Sequence, residues 1–215
     1  MKPEFKPDLY LVTDRDLSLG RSLKEIVTKA LYGGVTMVQL REKEASTREF
    51  IEEALSVKVE LKQYNIPLII NDRVDVALAV DADGLHIGQN DMPWQMARRL
   101  LGEDKIIGLS VESIQQIDEA NRADIDYIGI SPVFTTPTKE DLERGLGLNG
   151  TAEIAHRSNH PSVAIGGINA SNALEIMQTG VDGISVVSAI CSAPDPEEAT
   201  RELADIVRQY KEESS

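Results

Sequence analysis

Cysteine and histidine are scarce in this sequence, and their scarcity excludes several common kinds of site. The 215 residues include a single cysteine, Cys191, so no disulfide can form within the chain, which suits a reducing compartment. Cys191 lies in an apolar run, and we expect a small buried side chain rather than a reactive thiol. The three histidines lack the spacing of zinc ligands. We expect His86, within an apolar run, to be a hydrogen-bonded interior residue, and His156 and His160 to be solvated.

Positive charge is also scarce. Lys and Arg number 22 against 36 Asp and Glu, and the formal net charge of -14 argues against nucleic acid or an anionic membrane as a partner. No apolar run approaches the roughly 18 residues needed to span a membrane, and Met1–Asp8 lacks the apolar core of a signal peptide. We therefore expect a cytoplasmic protein that acts on small molecules, and a homo-oligomer is compatible with this composition.

Short runs rich in Val, Ile and Leu recur along the chain. Near-continuous apolarity is typical of strands buried on both faces, as in a parallel sheet covered by helices. Amphipathic stretches lie between the runs, with apolar residues at helical spacing and with Ser46 and Asp195 placed to cap helices. We predict eight strands, namely Leu9–Thr13, Met37–Arg41, Pro67–Asn71, Gly84–Gly88, Ile106–Ser110, Tyr127–Val133, Ser162–Gly166 and Gly183–Ser188.

Alternation of strand and helix indicates an α/β fold with a parallel sheet. Eight such units predict a single (β/α)8 TIM barrel over residues 1–215, with a short N-terminal extension (1–8) and a C-terminal tail (212–215). An open doubly wound sheet is the alternative, but it would normally have a glycine-rich fingerprint after the first strand, where Val12-Thr13-Asp14-Arg15 stands instead. In a barrel, functional groups come from the C-terminal ends of the strands.

Two aspartates follow neighbouring predicted strands. Asp72 comes directly after the third strand, and Asp91 follows the fourth. Either residue alone is explained by the common use of Asp at strand ends and helix caps. As a pair, they favour a site for Mg²⁺, which usually takes one or two carboxylates and completes its shell with substrate phosphates and water.

A basic cluster ends the second strand. Alternation places Gln39 and Arg41 on one face, with Lys43 just beyond the rim. Arg41 can bind phosphate oxygens bidentately and Lys43 can act as a point charge, although a solvated charge cluster at the start of a helix is the other interpretation. Ser110, at the end of the fifth strand, suits a phosphate oxygen but carries little signal alone.

The longest connection and two later strand ends add candidate anion ligands. Thr136, Thr138 and Lys139 lie in the connection between the sixth and seventh strands, which is either a binding loop or a flexible surface loop. Glycines after the seventh strand, including Gly167, allow backbone amides to approach a phosphate. The loops after the last two strands are the usual phosphate site of this fold.

Seven short segments, taken in order, resemble the thiamine phosphate synthase family over nearly the whole chain. No segment is diagnostic alone, but all seven occur in order at strand ends. Here Asn90 and Met92 stand where the family usually has an acidic residue and Leu. The segments are Gln39-Leu40-Arg41-Glu42-Lys43, Asn71-Asp72, Gly88-Gln89-Asn90-Asp91, Gly108-Leu109-Ser110-Val111, Thr136-Pro137-Thr138-Lys139, Gly166-Gly167-Ile168 and Val187-Ser188.

The resemblance implies an Mg²⁺-dependent transferase that joins a hydroxymethylpyrimidine diphosphate to a thiazole phosphate and releases pyrophosphate. It implies that Asp72 and Asp91 bind Mg²⁺, and that the thiazole phosphate is held by Thr136, Thr138, Gly167, Val187 and Ser188. It further implies that the pyrimidine diphosphate is contacted by Gln39, Arg41, Lys43, Asn71, Ser110 and Lys139. Among these, Arg41, Lys43, Ser110 and Lys139 would act on the departing group.

Two other functions are open to the same fold. A thiazole tautomerase would isomerise its substrate without metal, but that branch often has His after the fifth strand, where Ser110-Val111-Glu112-Ser113 stands here. A phosphate-metabolite binder without catalysis would not need the aspartate pair. The thiazole ring nitrogen has no proton to lose, which agrees with the lack of an obvious acid–base pair at the strand ends.

Overall fold

The chain forms a closed barrel of eight parallel strands, as the sequence predicts. Each strand pairs with the next, and the eighth pairs with the first, so the ladder closes on itself. The computed structural model describes residues 2–134 and 145–214. The strands are β1 (Leu9–Val12), β2 (Met37–Leu40), β3 (Leu68–Asn71), β4 (Gly84–Ile87), β5 (Ile106–Val111), β6 (Tyr127–Ile130), β7 (Ser162–Ile165) and β8 (Gly183–Val186).

Helices surround the barrel and cover the outer face of its strands. A single turn of 3-10 helix, Asp16–Ser18, precedes the first of them. No helix in the described ranges is both long and apolar enough to cross a membrane. The helices are α1 (Leu23–Gly33), α2 (Thr47–Gln63), α3 (Val74–Ala79), α4 (Trp94–Leu101), α5 (Ile114–Ala120), α6 (Gly147–Arg157), α7 (Ala173–Met177), α8 (Ser188–Cys191) and α9 (Pro196–Glu213).

The predicted helix caps are present. Ser46 accepts a hydrogen bond from the Glu49 amide while Glu49 binds the Ser46 amide, which forms a capping box at the start of α2. Asp195 accepts from the first amides of α9, and Pro196 occupies the first turn. Gly34 ends α1 with a φ of 99°, a conformation that favours glycine. The last helix continues to Glu213, through two of the residues predicted as a tail.

Several strands end earlier than the apolar pattern predicts, and the backbone explains why. Pro132 has no amide hydrogen to donate to a ladder, and β6 ends at Ile130 rather than Val133. Gly166 has a φ of 114°, outside the extended region, so β7 ends at Ile165. After β6, the apolar run therefore marks residues that stay buried beyond the end of the strand.

The barrel interior holds its own apolar layer, separate from the larger core between strands and helices. Tyr10 and Tyr127 are fully buried there, with ring centroids 5.9 Å apart. Phe5, from the N-terminal segment, packs below this layer with its ring centroid 5.9 Å from that of Tyr127. A Cβ on Gly183 would lie 1.7 Å from the Pro7 carbonyl oxygen, so the segment crosses directly over the start of β8. The N-terminal segment thus covers the bottom of the barrel.

Candidate active site

A cavity of about 620 Å³ opens at the C-terminal ends of the strands. Tyr10 and Ser185 belong to its inner wall, and the loops after β6, β7 and β8 form its upper rim. The cavity is where the barrel rule places a functional site. Seven residues predicted to contact substrate line it: Gln39, Arg41, Asn71, Ser110, Gly167, Val187 and Ser188.

The predicted carboxylate pair lies beside this cavity. Asp72 follows β3 with a φ of 59°, in the left-handed region that Asp tolerates better than most residues. Its amide donates to the His86 carbonyl at 2.9 Å, which fixes the turn against β4. Asp91 Oδ2 accepts from the Gly88 amide at 2.7 Å. The two side chains share a hydrogen bond, so they are brought together as predicted.

Their pKa values move in opposite directions. Burial, followed by the hydrogen bond to Asp72, raises the pKa of Asp91 above its usual value. Burial also acts to raise the pKa of Asp72, but hydrogen bonds from Lys43 and Asp91 outweigh it, and that pKa is lowered. Two carboxyl groups in contact cannot both ionise cheaply without a cation between them. The pair therefore favours a neighbouring positive charge, which Lys43 supplies in this structure.

Each predicted cation near the pair is held by a carboxylate. Arg41 Nη1 lies 3.0 Å from Asp14 Oδ2, and the Arg41 amide donates to Thr13 Oγ1 at 3.1 Å. Lys43 Nζ lies 2.8 Å from Asp72 Oδ2. A second groove, rich in Asp and Glu, is formed by residues 14–17, 41–45, 49, 52 and 53. Arg41 lines both this groove and the cavity, whereas Lys43 lines only the groove. Asp14, which the sequence analysis did not single out, orients Arg41.

The turn after β7 brings backbone to the rim of the cavity. Gly166 and Gly167 have successive positive φ values of 114° and 70°. A Cβ on Gly166 would lie 2.9 Å from the Pro132 Cβ, so a side chain would meet the neighbouring loop as well as an unfavourable backbone conformation. Asn172 Nδ2 donates to the Gly167 carbonyl at 2.9 Å, which fixes the orientation of this peptide. Ser188, the first residue of α8, lines the same cavity.

Polar groups line the inner end of the cavity, and only some of them were predicted from the sequence. His86 is an interior hydrogen-bonded residue, as predicted, with Nε2 3.0 Å from Ser110 Oγ. Gln39 Nε2 donates to Tyr10 Oη at 2.7 Å. Tyr10 was counted only as part of an apolar run. Its position two residues before Val12, on the face that alternates inward, is the signal that could have identified it.

One buried hydroxyl has no partner. Ser185 is 2% exposed, lines the cavity, and its Oγ is the one buried side-chain polar atom without a hydrogen bond in residues 2–134 and 145–214. Buried polar groups are usually paired, so an orphaned one in a cavity wall indicates a ligand contact. The signal in the sequence was a serine in the middle of the apolar run Gly183–Val186.

The remaining predictions divide into two groups. Thr136, Thr138 and Lys139 lie outside the described residues, so their predicted contacts stay predictions. His156 is exposed, as expected, but the expectation for His160 was wrong, because it is half-buried with Nε2 2.9 Å from the Ala120 carbonyl oxygen. The backbone of α5 provides that acceptor, which the loop sequence around His160 does not reveal.

The closed barrel, with a polar cavity at the carboxyl ends of its strands, defines a (β/α)8 barrel with its site where enzymes of this fold have theirs. Comparison with known proteins identifies one family within this class. A profile of the thiamine monophosphate synthase family matches residues 9–190. The chain therefore belongs to that family, and it is an enzyme of the transferase class.

Individual relatives agree with the family assignment over almost their full lengths. A thiamine-phosphate synthase of Syntrophomonas wolfei is 54% identical over 198 residues, covering 92% of this chain and 95% of the relative. One of Clostridium novyi is 51% identical over 198 residues, covering 92% and 97%. The solved structure of a thiamine phosphate pyrophosphorylase from Pyrococcus furiosus superposes with a TM-score of 0.88 at 43% identity, covering 95% of this chain and 96% of that one.

Proposed function

We propose that this chain joins 4-amino-2-methyl-5-hydroxymethylpyrimidine diphosphate to a thiazole phosphate, with formation of thiamine phosphate and release of pyrophosphate. The observation that carries the proposal is the placement of the predicted ligands. Seven residues expected at the two substrates line one cavity. Asp72 directly follows Asn71, one of those seven, and shares a hydrogen bond with Asp91. The family relationship supports the same reaction.

Asp72 and Asp91 are the residues that would hold Mg²⁺. Within the described ranges no group of three or more Asp, Glu, His or Cys side chains is placed to hold a metal. Two carboxylates with the remaining positions left to substrate oxygens and water suit Mg²⁺ better than a metal that needs a full protein cage. When bound, the ion would stabilise negative charge on the departing pyrophosphate.

The chain's own cations would bind the diphosphate. Arg41 is oriented by Asp14 at the cavity wall and offers a planar donor set that matches phosphate oxygens. Lys43 is about half exposed, so it can turn from Asp72 towards an anion. We include Lys139 in the same role on the family pattern. Gln39, Asn71 and Ser110 would hold the pyrimidine end of the molecule and its first phosphate.

The thiazole phosphate would occupy the opposite wall of the cavity. Gly167, Val187 and Ser188 line that wall, where the fold usually binds phosphate. Thr136 and Thr138 complete this group in the family pattern. The two substrates would then share one cavity, so the ring nitrogen of the thiazole can meet the pyrimidine methylene carbon without diffusing through water.

The reaction needs charge stabilisation more than proton transfer. The attacking ring nitrogen carries no proton, so no general base has to be placed beside it. The carbon–oxygen bond to the diphosphate would break ahead of nitrogen attack, with a pyrimidine methylene cation in between. Preorganised donors and cations around the leaving oxygens favour such a path, since they stabilise the charge that develops there.

A single experiment separates this function from its alternatives. The purified chain is mixed with both substrates and Mg²⁺, and pyrophosphate and thiamine phosphate are measured in the same sample. We expect the two products in equal amounts and no turnover with a chelator. Binding of both substrates without pyrophosphate would refute the transferase reaction and favour a binding protein. Isomerisation of a thiazole in the presence of chelator would favour the tautomerase.

A further inference from the structure

A continuous chain of hydrogen bonds crosses the barrel interior beneath the cavity. Gln39 Nε2 lies 2.7 Å from Tyr10 Oη, and Tyr10 Oη lies 2.8 Å from Tyr127 Oη. Tyr127 Oη lies 2.9 Å from His86 Nδ1, and His86 Nε2 lies 3.0 Å from Ser110 Oγ. Five side chains from β1, β2, β4, β5 and β6 therefore form one connected row.

The donor in each hydrogen bond of the row follows from the number of hydrogens that each side chain carries. The amide of Gln39 donates to Tyr10 Oη, so the Tyr10 hydrogen is left to donate to Tyr127 Oη, the other hydrogen-bond partner of Tyr10 in the described structure. The Tyr127 hydrogen then goes to His86 Nδ1. A neutral imidazole that accepts at Nδ1 carries its hydrogen on Nε2. His86 must therefore donate from Nε2 to Ser110 Oγ.

The opposite direction would leave a buried donor unused. If His86 donated from Nδ1 to Tyr127, Tyr127 would donate to Tyr10, and Tyr10 Oη would accept from both sides. Its own hydrogen would then have no acceptor although Tyr10 is 1% exposed. A buried donor without an acceptor has lost its hydrogen bonds to water and gained none in exchange, so this arrangement is disfavoured. The backbone and packing therefore favour one direction strongly.

The barrel has room for this row because two positions lack side chains. A Cβ on Gly108 would lie 2.1 Å from Tyr127 Cζ and 2.5 Å from His86 Nδ1. A Cβ on Gly129 would lie 3.1 Å from His86 Cε1. Burial raises the pKa of both Tyr10 and Tyr127, so both phenols keep their hydrogens at neutral pH. The row is thus built into the fold, and its two phenols remain available as donors.

We propose that Tyr10 and Tyr127 are positioning residues that hold His86 as its Nε2–H tautomer and so leave the Ser110 hydroxyl hydrogen free to donate into the cavity. Ser110 Oγ receives one hydrogen bond from His86, and its own hydrogen points to whatever acceptor enters. Gln89 Nε2 donates to the Ser110 carbonyl at 2.5 Å and fixes the backbone at this point. The tautomer of His86 thereby decides the hydrogen-bonding character of Ser110.

The consequence for catalysis rests on the function proposed above. A diphosphate presents only acceptor oxygens, so a serine that donates to His86 would face it with lone pairs. A serine that accepts from His86 faces it with a hydrogen. The row therefore turns Ser110 into a fixed donor for the leaving group, through Tyr10, Tyr127 and His86, none of which is assigned to the substrate's phosphates.

The tautomer is tested directly by nitrogen NMR of the free protein. Ring-labelled histidine is incorporated into a His156→Gln, His160→Gln double variant, so that His86 gives the only imidazole signals. We expect the Nε2 signal of a protonated nitrogen and the Nδ1 signal of an unprotonated one. Protonated Nδ1, or rapid exchange between the two forms, would overturn the proposal. This measurement needs no substrate, so it stands apart from the test of the proposed function.

A mutant cycle tests the consequence. Tyr127→Phe keeps the ring but removes the donor to Nδ1, and we expect mixed His86 tautomers and a kcat about threefold to tenfold lower, with a smaller change in KM. Adding Tyr127→Phe to Ser110→Ala should cause little further loss, because the two act through one hydroxyl. Tyr32→Phe on the exposed face of α1 is the control and should leave both readouts unchanged. Additive losses, or an unchanged tautomer in Tyr127→Phe, would contradict the positioning role.

Discussion

Lys43 Nζ and Asp72 Oδ2 form an ion pair at 2.8 Å, which joins the loop after β2 to the loop after β3. The pair links a residue expected at the diphosphate to one expected at the metal. Asp72 carries the more buried side chain of the two, with 22% exposed against 52% for Lys43. A cation arriving at Asp72 would therefore release Lys43 towards the substrate without moving the carboxylate far.

The carboxylate pair predicts a metal-dependent gain in stability. Because binding to the folded state alone raises its stability, saturating Mg²⁺ should raise the Tm of the native chain. We expect Asp72→Asn and Asp91→Asn to lose that rise in Tm. We also expect Asp91→Ala to lower turnover more than about tenfold, which corresponds to a loss of at least ~1.4 kcal/mol of transition-state stabilisation. Thermal melts with and without Mg²⁺ measure the first effect. Asp118→Asn, on the exposed side of α5, is the matched control, and a full Tm rise in both site variants would place the metal elsewhere.

Substitution of the lysines expected at the diphosphate should change turnover but not the response of the Tm to Mg²⁺. Lys43→Ala and Lys139→Ala should each lower turnover more than about tenfold, because each removes positive charge from the leaving group. The Mg²⁺-induced rise in Tm should persist in both, since the carboxylates remain. Steady-state kinetics and melts on the same preparations check this. Lys62→Ala, at the far end of α2, should behave as the native chain, and near-native rates in both site variants would show that the diphosphate binds elsewhere.

Ser185 predicts a loss of affinity without a loss of stability. Its Oγ has no partner within the described chain, so Ser185→Ala removes no internal hydrogen bond and should leave the Tm unchanged or slightly higher. A substrate that does bond to the hydroxyl should lose about 0.5–1.5 kcal/mol of binding. Titration of each substrate against the variant identifies which one is affected. Unchanged affinity for both would mean that the hydroxyl meets neither.

Cys191 predicts an inert thiol with a pH signature. Burial raises its pKa from 9.0 to about 11, so the folded chain disfavours the thiolate. The unfolded chain ionises first, and this contribution to the free energy of unfolding is present below pH 9 and lost as the pH rises towards 11. Cys191→Ser should keep activity and should remove that part of the alkaline decline in denaturant melts. Fast labelling of native protein by a thiol reagent at pH 8 would contradict the burial.

Much of the barrel could be predicted because its strands are buried on both faces and therefore nearly continuous in apolar residues. The same continuity concealed the end of β6, where Pro132 stops the ladder while burial goes on, and the end of β7, where Gly166 leaves the extended conformation. Residues at strand ends were identifiable as site candidates, since the fold rule fixes their location. Of the seven that line the cavity, Gln39, Arg41, Ser110 and Gly167 were found in this way, and the other three were assigned through the family resemblance.

The interior polar groups were harder to predict because their roles depend on closure of the barrel. Tyr10 and Tyr127 are 117 positions apart, and only the closed ladder and the space left by Gly108 bring their hydroxyls together. The Asp14–Arg41 contact likewise joins two strand ends through side-chain geometry that spacing does not encode. A serine without a partner, such as Ser185, is recognisable only after every neighbour has been placed.

The N-terminal segment beneath the barrel has a kinetic consequence. Phe5 lies under Tyr127, and the chain at Pro7 crosses the start of β8, so in the described structure the cavity is closed below and open above. Two ligands that share one opening cannot arrive or depart independently. The molecule seated deeper has to enter before its partner and wait for the outer one to leave. Turnover should therefore follow a fixed order of addition and release, imposed by the packed lower end of the barrel, opposite the end where the chemistry occurs.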